Sequence, residues 1–463
     1  MNKLPSEIIS HITRCLLDED IVEEEDTVDA RPIILLTHVC RYWRESIIST
    51  PEHWTWISNR SRSLTILSLQ RAKAAPLRIS LDMDQIKESP WFSDLIAPHI
   101  QNTETLYIDS ISTTKELSQM FPNFPWSMPN LRLLSFSLQP RQAELDWSIN
   151  PLGSSTPTLT HLSLIDISLS PSFLRLRTLT NLTFLYNRTS LPLPLDRLLD
   201  FLEENRSLEH VDLEIPSAEF ALRSSRRRIP IRNRLRSLKI VSANAMDVKA
   251  LISNIALQEG AHLNIALYDW NAGSKDLFSI VSMTHLSNLR PTTIMEYNPD
   301  HKVVRLLGSS GSLSFYAFGL RNPFTRLHPP HLANVRVFRL TRTPKNHSDR
   351  IVFSPSSLPA LETLAIEYGA TVSPLLSALI LDPSSSPSLS TLAFLDCDLD
   401  EGVMKQLVRF ASSRKKTTSA WLYRVVIVNS KGALPTVASV ERLGKHVPVV
   451  DVRAGTKLPA DLV

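Results

Sequence analysis

Apolar residues recur along this chain at two different periods. Near the start, Ile8, Ile9, Ile12 and Leu16 return at helical spacing, which lines them along one side of a helix. Leu4-Pro5-Ser6-Glu7 reads as its start, with proline tolerated in the first turn and Glu7 placing negative charge near the N-terminus. A second stripe, Leu36, Val39, Cys40, Trp43 and Ile47, falls at i, i+3, i+4, i+7 and i+11, with Arg41, Arg44 and Glu45 on the other face. Thr50-Pro51 then opens a new short turn that presents Trp54. Between the stripes, residues 17–30 read LDEDIVEEEDTVDA, a block of like charge that predicts a solvated loop.

After residue 58 comes SLTILSLQRAKAAPLRISLDM, whose first part predicts an amphipathic helix. Pro76 breaks it, and Leu77, Ile79 and Leu81 alternate as a strand. From there Leu-x-x-Leu-x-Leu, with conservative swaps, returns at starts 131, 159, 179, 208 and 235, then at 335, 361, 389 and 422. Between 241 and 334 the pattern is weak, although HLNIALYD and SLSFYAF read as strands.

These two segments carry family resemblances. LPSEIISHITRCLL followed by LLTHVCRYWRESIISTPEHWTWI resembles an F-box of the fungal type, with its Leu-Pro-x-Glu opening, its Val-Cys-x-x-Trp second helix and its closing proline and tryptophan. The match covers about an eighth of the chain and departs from the family pattern in the acidic insertion at 18–30. The later motif recurs with a period near the high twenties, in or close to the leucine-rich-repeat range. LSTLAFLDCDL is one complete copy, with Cys397 and Leu399 where the cysteine-type consensus wants them. The expected fold class is therefore α plus α/β: an N-terminal three-helix F-box followed by an irregular leucine-rich-repeat solenoid. The expected domains are 1–57, the helical module; 58–100, a linker helix and first strand; 101–450, the repeats; and 451–463, a C-terminal tail.

The F-box resemblance implies docking on the Skp adaptor of a cullin–RING ubiquitin ligase through Leu4, Pro5, Ile8, Ile9, Leu36, Val39, Cys40 and Trp43. A small helical module also spends apolar residues on its own core, so these positions divide between the two roles. Trp54 and Trp56 are expected to seat the module against the adjoining domain. In a Leu-x-Leu strand the leucines point inward and the intervening residues outward. That makes His161, His210, Asp212, Glu214, Lys239, Arg339 and Glu367 the candidate substrate-binding face. The set is chemically mixed and names no ligand.

Composition narrows the chemistry. Of 463 residues 43% are hydrophobic and 21% charged, the mark of a folded rather than a disordered chain. A net charge of +4 is too small to argue for nucleic acid. Glycine is scarce (11) against 31 prolines, which disfavours glycine-rich phosphate cradles. Cys15, Cys40 and Cys397 lie far apart with no CxxC pair, which fits a reducing compartment, cytoplasm or nucleus. No apolar run approaches the ~20 residues that span a membrane.

Neither HExxH nor GxxxxGK[ST] occurs. His328 and His331, an HxxH with two prolines inside it, read as a loop, and LGSSGSLS at 307–314 as a polar turn. Cys40 and Cys397 read as buried, inert thiols. RSSRRRIPIRNRLR at 223–236 holds seven arginines in fourteen residues; a solvated loop is the simpler reading and a nuclear signal the sharper one. The expectation is a non-enzymatic substrate-recognition subunit of an SCF-type ligase without metal or cofactor, its partners the Skp adaptor, the cullin scaffold and a protein substrate. The alternative is a repeat-protein interaction scaffold with no link to the ligase.

Overall fold

The computed structural model describes residues 4–19, 31–86, 89–111, 128–138, 158–166, 176–185, 195–215, 231–232, 234–242, 248, 251–252, 254–257, 261–267, 292–298, 303–308, 311–317, 334–341, 358–367, 372–382, 386–417, 421–430, 434–455 and 457–459. Most of the acidic insertion, the first eight residues of the arginine run and the His328/His331 pair lie outside them. The chain forms two compact units, Met1–Glu214 with Phe220–Ser225, and Ile215–Glu219 with Arg226–Val463.

The first unit begins with three helices, α1 (Ser6–Glu19), α2 (Arg31–Thr37) and α3 (Arg41–Ser49), and a 3-10 turn over Pro51–Trp54. The stripe from Leu36 to Ile47 is thus not one helix. Its break is held by Arg44, whose Nε donates to the Thr37 carbonyl at 2.9 Å and satisfies an end that α2 would otherwise leave open. Strand β1 (Trp56–Ser58) and helix α4 (Arg62–Ala72) follow, the helix capped by Ser61, which accepts from the Leu64 amide. Short helices α5 (Met83–Ile86) and α6 (Trp91–Ile96) flank the next connection, and α7 (Leu195–Glu204) comes later.

Strands β2 (Leu77–Asp82), β3 (Thr103–Ile111), β4 (Leu133–Leu138), β5 (His161–Ile165), β6 (Asn181–Leu185) and β7 (His210–Ile215) add to β1 in chain order. Every pairing from β1 to β7 is parallel. Register keeps like with like. Ile108, Phe136, Leu164, Phe184 and Leu213 share one buried row. On the opposite face Ser80, Tyr107, Ser135, Ser163, Thr183 and Asp212 share another.

Three residues before each of four strands stands a side-chain donor. Asn130 donates to the Gln101 carbonyl at 2.9 Å and Thr178 to that of Leu159 at 2.8 Å. Thr158 reaches the carbonyls of Pro129 and Leu131, and Ser207 those of Arg177 and Leu179, all within 2.7–2.9 Å. Each ties one strand entry to the entry before it.

The second unit contains β8 (Ile231–Arg232), β9 (Ser237–Ser242), β10 (Ile255–Ala256), β11 (His262–Leu267), β12 (Thr292–Asn298), β13 (Val303–Gly308) and β14 (Gly311–Ala317). Then come β15 (Val337–Thr341), β16 (Thr363–Glu367), β17 (Thr391–Leu395), β18 (Arg424–Asn429) and β19 (Val449–Ala454). Its helices are α8 (Val372–Leu381), α9 (Glu401–Thr417) and α10 (Val437–Gly444). Strands β15 to β19 form a five-strand parallel sheet. Strand β11 lies parallel between β9 and β14, whereas β12, β13 and β14 form an antiparallel meander. Asp400 caps α9 through the Val403 amide at 2.7 Å, and fully buried Arg414 ties that helix to the Ser386 carbonyl at 2.9 Å.

The fold expected from sequence, a three-helix F-box followed by a leucine-rich-repeat solenoid, is therefore corrected. The chain is a mixed α/β protein built on extended parallel sheets, with an antiparallel meander set into the second unit. The physical reason is that Leu-x-x-Leu-x-Leu marks a strand buried on one face. Any parallel sheet covered by helices asks for the same residues, whatever its connections.

Candidate functional site

Three surfaces concentrate chemistry. The first is the outside of α1 to α3. Ile9, Ile33 and Ile47 turn inward and are fully buried, and Thr13 satisfies its hydroxyl on the Ile9 carbonyl at 2.8 Å. Ile8, one position from Ile9 on the helix, consequently faces out, as do Leu4 and Leu16. Leu35, at 69% exposed, and Val39, at 58%, stand at and just beyond α2, and Ile48 on α3. Among the described residues eleven large apolar side chains are exposed, and these six fall within the first 48 positions. Such a density is unusual on a surface that meets only water.

Of the residues the F-box resemblance singles out, Leu4, Pro5, Ile8, Val39 and Cys40 are exposed, Leu36 and Trp43 half-buried and Ile9 buried. Cys40 precedes α3 as an exposed thiol, because the break at residues 38–40 takes it off the helical stripe; Cys397 is buried and points its thiol at the Ile366 carbonyl at 3.3 Å. The two later tryptophans are interior. Trp54 donates to the Ile47 carbonyl at 2.9 Å and lies under the Arg71 guanidinium of α4 at 4.2 Å. Trp56 stacks on Tyr107 of β3 at 5.8 Å. His53, beside Trp54, is buried, and burial pushes its imidazole below the ordinary 6.5. The Ile47 carbonyl and Glu52 oppose that shift and the Arg14 charge adds to it.

The second surface is the polar face of β1 to β7. His161, Asn181 and His210 share one row, which brings the two predicted histidines two strands apart. Burial lowers the His161 imidazole first and the neighbouring His210 charge lowers it further. Asp212, half-buried, ends the row of hydroxyls, and half-buried Glu214 follows on the same strand. At the other side Asp82 and Asp109 are register partners. Burial raises the Asp109 carboxyl, Asp82 raises it further, and Arg60 opposes both.

The third surface lies in the second unit. Arg339 is buried, its Nη1 3.0 Å from Glu296 Oε1, while Arg305 approaches the other oxygen at 3.7 Å. Glu367 occupies the next rung of the same face; burial raises its carboxyl, with Arg339 acting against that and Glu296 with it. Lys239 is half-buried on a separate row with Asn264. Glu296, the centre of this cluster, was missed from sequence. Its partner Arg339 is 43 positions away, and pattern alone does not pair them.

Among the described residues no helix is long and apolar enough to cross a membrane. No family model matches the chain, and no curated protein matches it significantly.

Proposed function

We propose that this chain is a non-enzymatic substrate-recognition subunit of an SCF-type ubiquitin ligase. Helices α1 to α3 dock a Skp-type adaptor that links the chain to the cullin scaffold, and the sheet-bearing remainder holds a protein substrate. The observation that supports the reading is the concentration of exposed apolar side chains at Leu4, Ile8, Leu16, Leu35, Val39 and Ile48, three of which the F-box resemblance assigns to adaptor contact. A surface of this kind is stable in water only at a cost that a partner removes. The same helices carry exposed polar groups, including the Arg41–Glu45 pair at 2.7 Å, of the kind that forms the rim of an interface.

Such a receptor works by raising the local concentration of substrate at the ligase and asks no bond chemistry of its own side chains. Its place of action is the cytoplasm or the nucleus. Co-purification with the adaptor tests the reading. The chain retains the adaptor, and Ile8→Asp combined with Val39→Asp releases it while circular dichroism stays unchanged. A folded wild-type chain that never retains the adaptor overturns the receptor role and leaves an interaction scaffold.

A further inference from the structure

We infer that the face of β16 to β18 holds a docking groove for an extended, leucine-bearing peptide segment, and that the chain closes it with its own residues 457–459. The groove begins in the register. Ala365, Ala393 and Val426 are partners on three successive strands, and Leu395 and Val428 are partners on the next rung of the same face. Two alanines side by side leave a depression between larger neighbours. Leu458 fills it, and Leu458, Ala365, Ala393, Leu395, Val426 and Val428 form one buried cluster.

The equivalent face of the first unit shows that an aliphatic floor is no requirement of a parallel sheet, because Ser135, Ser163, Thr183 and Asp212 occupy it there. The floor in the second unit suits an incoming aliphatic side chain. Two further features suit an extended segment. The backbone passes close to β18 at Gly455, where a Cβ would stand 3.3 Å from Val428 Cγ1. Pro459 follows Leu458 and biases that leucine toward extended backbone.

Among the described residues beyond β19, Leu458 is the buried side chain, and Gly455 donates one long hydrogen bond to the Asn429 carbonyl at 3.4 Å. Lys457 is exposed and Pro459 half-buried. One buried leucine is of the same order as the entropy lost in ordering the few residues that deliver it. A partner segment of the same chemistry therefore competes with the tail on near-equal terms. The groove stands whether or not the N-terminal helices bind an adaptor.

The test uses the full chain and a labelled peptide with the sequence of residues 453–463. Leu458→Gln vacates the groove without shortening the chain. That variant binds the peptide saturably, and at least about twofold more tightly than the wild-type chain, whose own residues 457–459 compete. A second change, Ala393→Leu, fills the floor and abolishes this binding, and a peptide carrying Leu458→Asp does not bind. Failure of a folded Leu458→Gln variant to bind the peptide overturns the inference. So does equal binding by the wild-type chain, or binding that survives Ala393→Leu.

Discussion

Replacing Trp54 by alanine removes the side chain that fastens the N-terminal helices to α4. The indole is 1% exposed, so nearly all of its surface is lost from a packed site. Truncating a buried tryptophan to alanine costs about 3–5 kcal/mol through lost burial and the cavity left behind. The hydrogen bond to the Ile47 carbonyl contributes little to that figure, because the Thr50 amide still approaches the same oxygen at 3.4 Å. Loss of the aromatic face under Arg71 costs about 0.5–1 kcal/mol more. A total near 5 kcal/mol corresponds to roughly several thousandfold in the opening equilibrium. Trp54→Phe keeps the ring contact and costs only about 1–2 kcal/mol. Since a chain of two units need not unfold in one step, native-state hydrogen exchange is the suitable assay. Amides of residues 41–54 and 62–72 lose protection by about a hundredfold or more in Trp54→Ala, while those of 391–429 are unchanged. A loss below tenfold, or an equal loss at 391–429, refutes the reasoning.

Two further outcomes concern ionisable groups held inside the fold. The His53 imidazole is depressed, so the folded state binds fewer protons than the unfolded chain below pH 6.5. Its contribution is present in full above that pH and is lost as pH falls through the depressed value. Melting of the first unit drops more between about pH 7 and about pH 5 in the wild type than in His53→Gln; identical slopes refute the assignment. In the second unit, Arg339→Met leaves Glu296 with Arg305 at 3.7 Å and costs about 2–4 kcal/mol, whereas adding Glu296→Leu recovers much of the loss. Urea midpoints of the three proteins give the comparison, and a double variant no more stable than the single refutes a coupled pair.

The features legible in the sequence were local. The alternation of Leu77, Ile79 and Leu81 after Pro76 placed β2, and each Leu-x-Leu placed a strand, because a buried strand writes its burial into neighbouring residues. Helix α1 was equally plain, but not its orientation. Ile8 and Ile9 differ by one position, and tertiary packing decides which of them is buried. The break between α2 and α3 depends on Arg44 reaching back seven residues, a tertiary choice that periodicity does not record. The architecture was misjudged for a related reason: the motif specifies a strand and its apolar side, while the meander of β12 to β14 depends on how strands are joined. The apolar floor of β16 to β18 was concealed by the residue that justifies it, since Leu458 lies beyond the last strand in a segment with no periodicity.

The donors at Asn130, Thr158, Thr178 and Ser207 give the first unit a built-in ruler. Donor to strand is always three residues, whereas donor to donor the chain takes 28, 20 and 29. Across these four strands the spacing therefore varies only beyond the strand's start, never between donor and strand. One residue added between Thr178 and Asn181 would slip β6 against its fixed entry and turn Leu182 and Phe184 toward water. The same residue added after Leu185 would leave both the donor spacing and the pleat untouched. A lineage carrying this fold can lengthen its connections at one end of the sheet alone, and that end is where a new sequence could be accommodated without renegotiating the core.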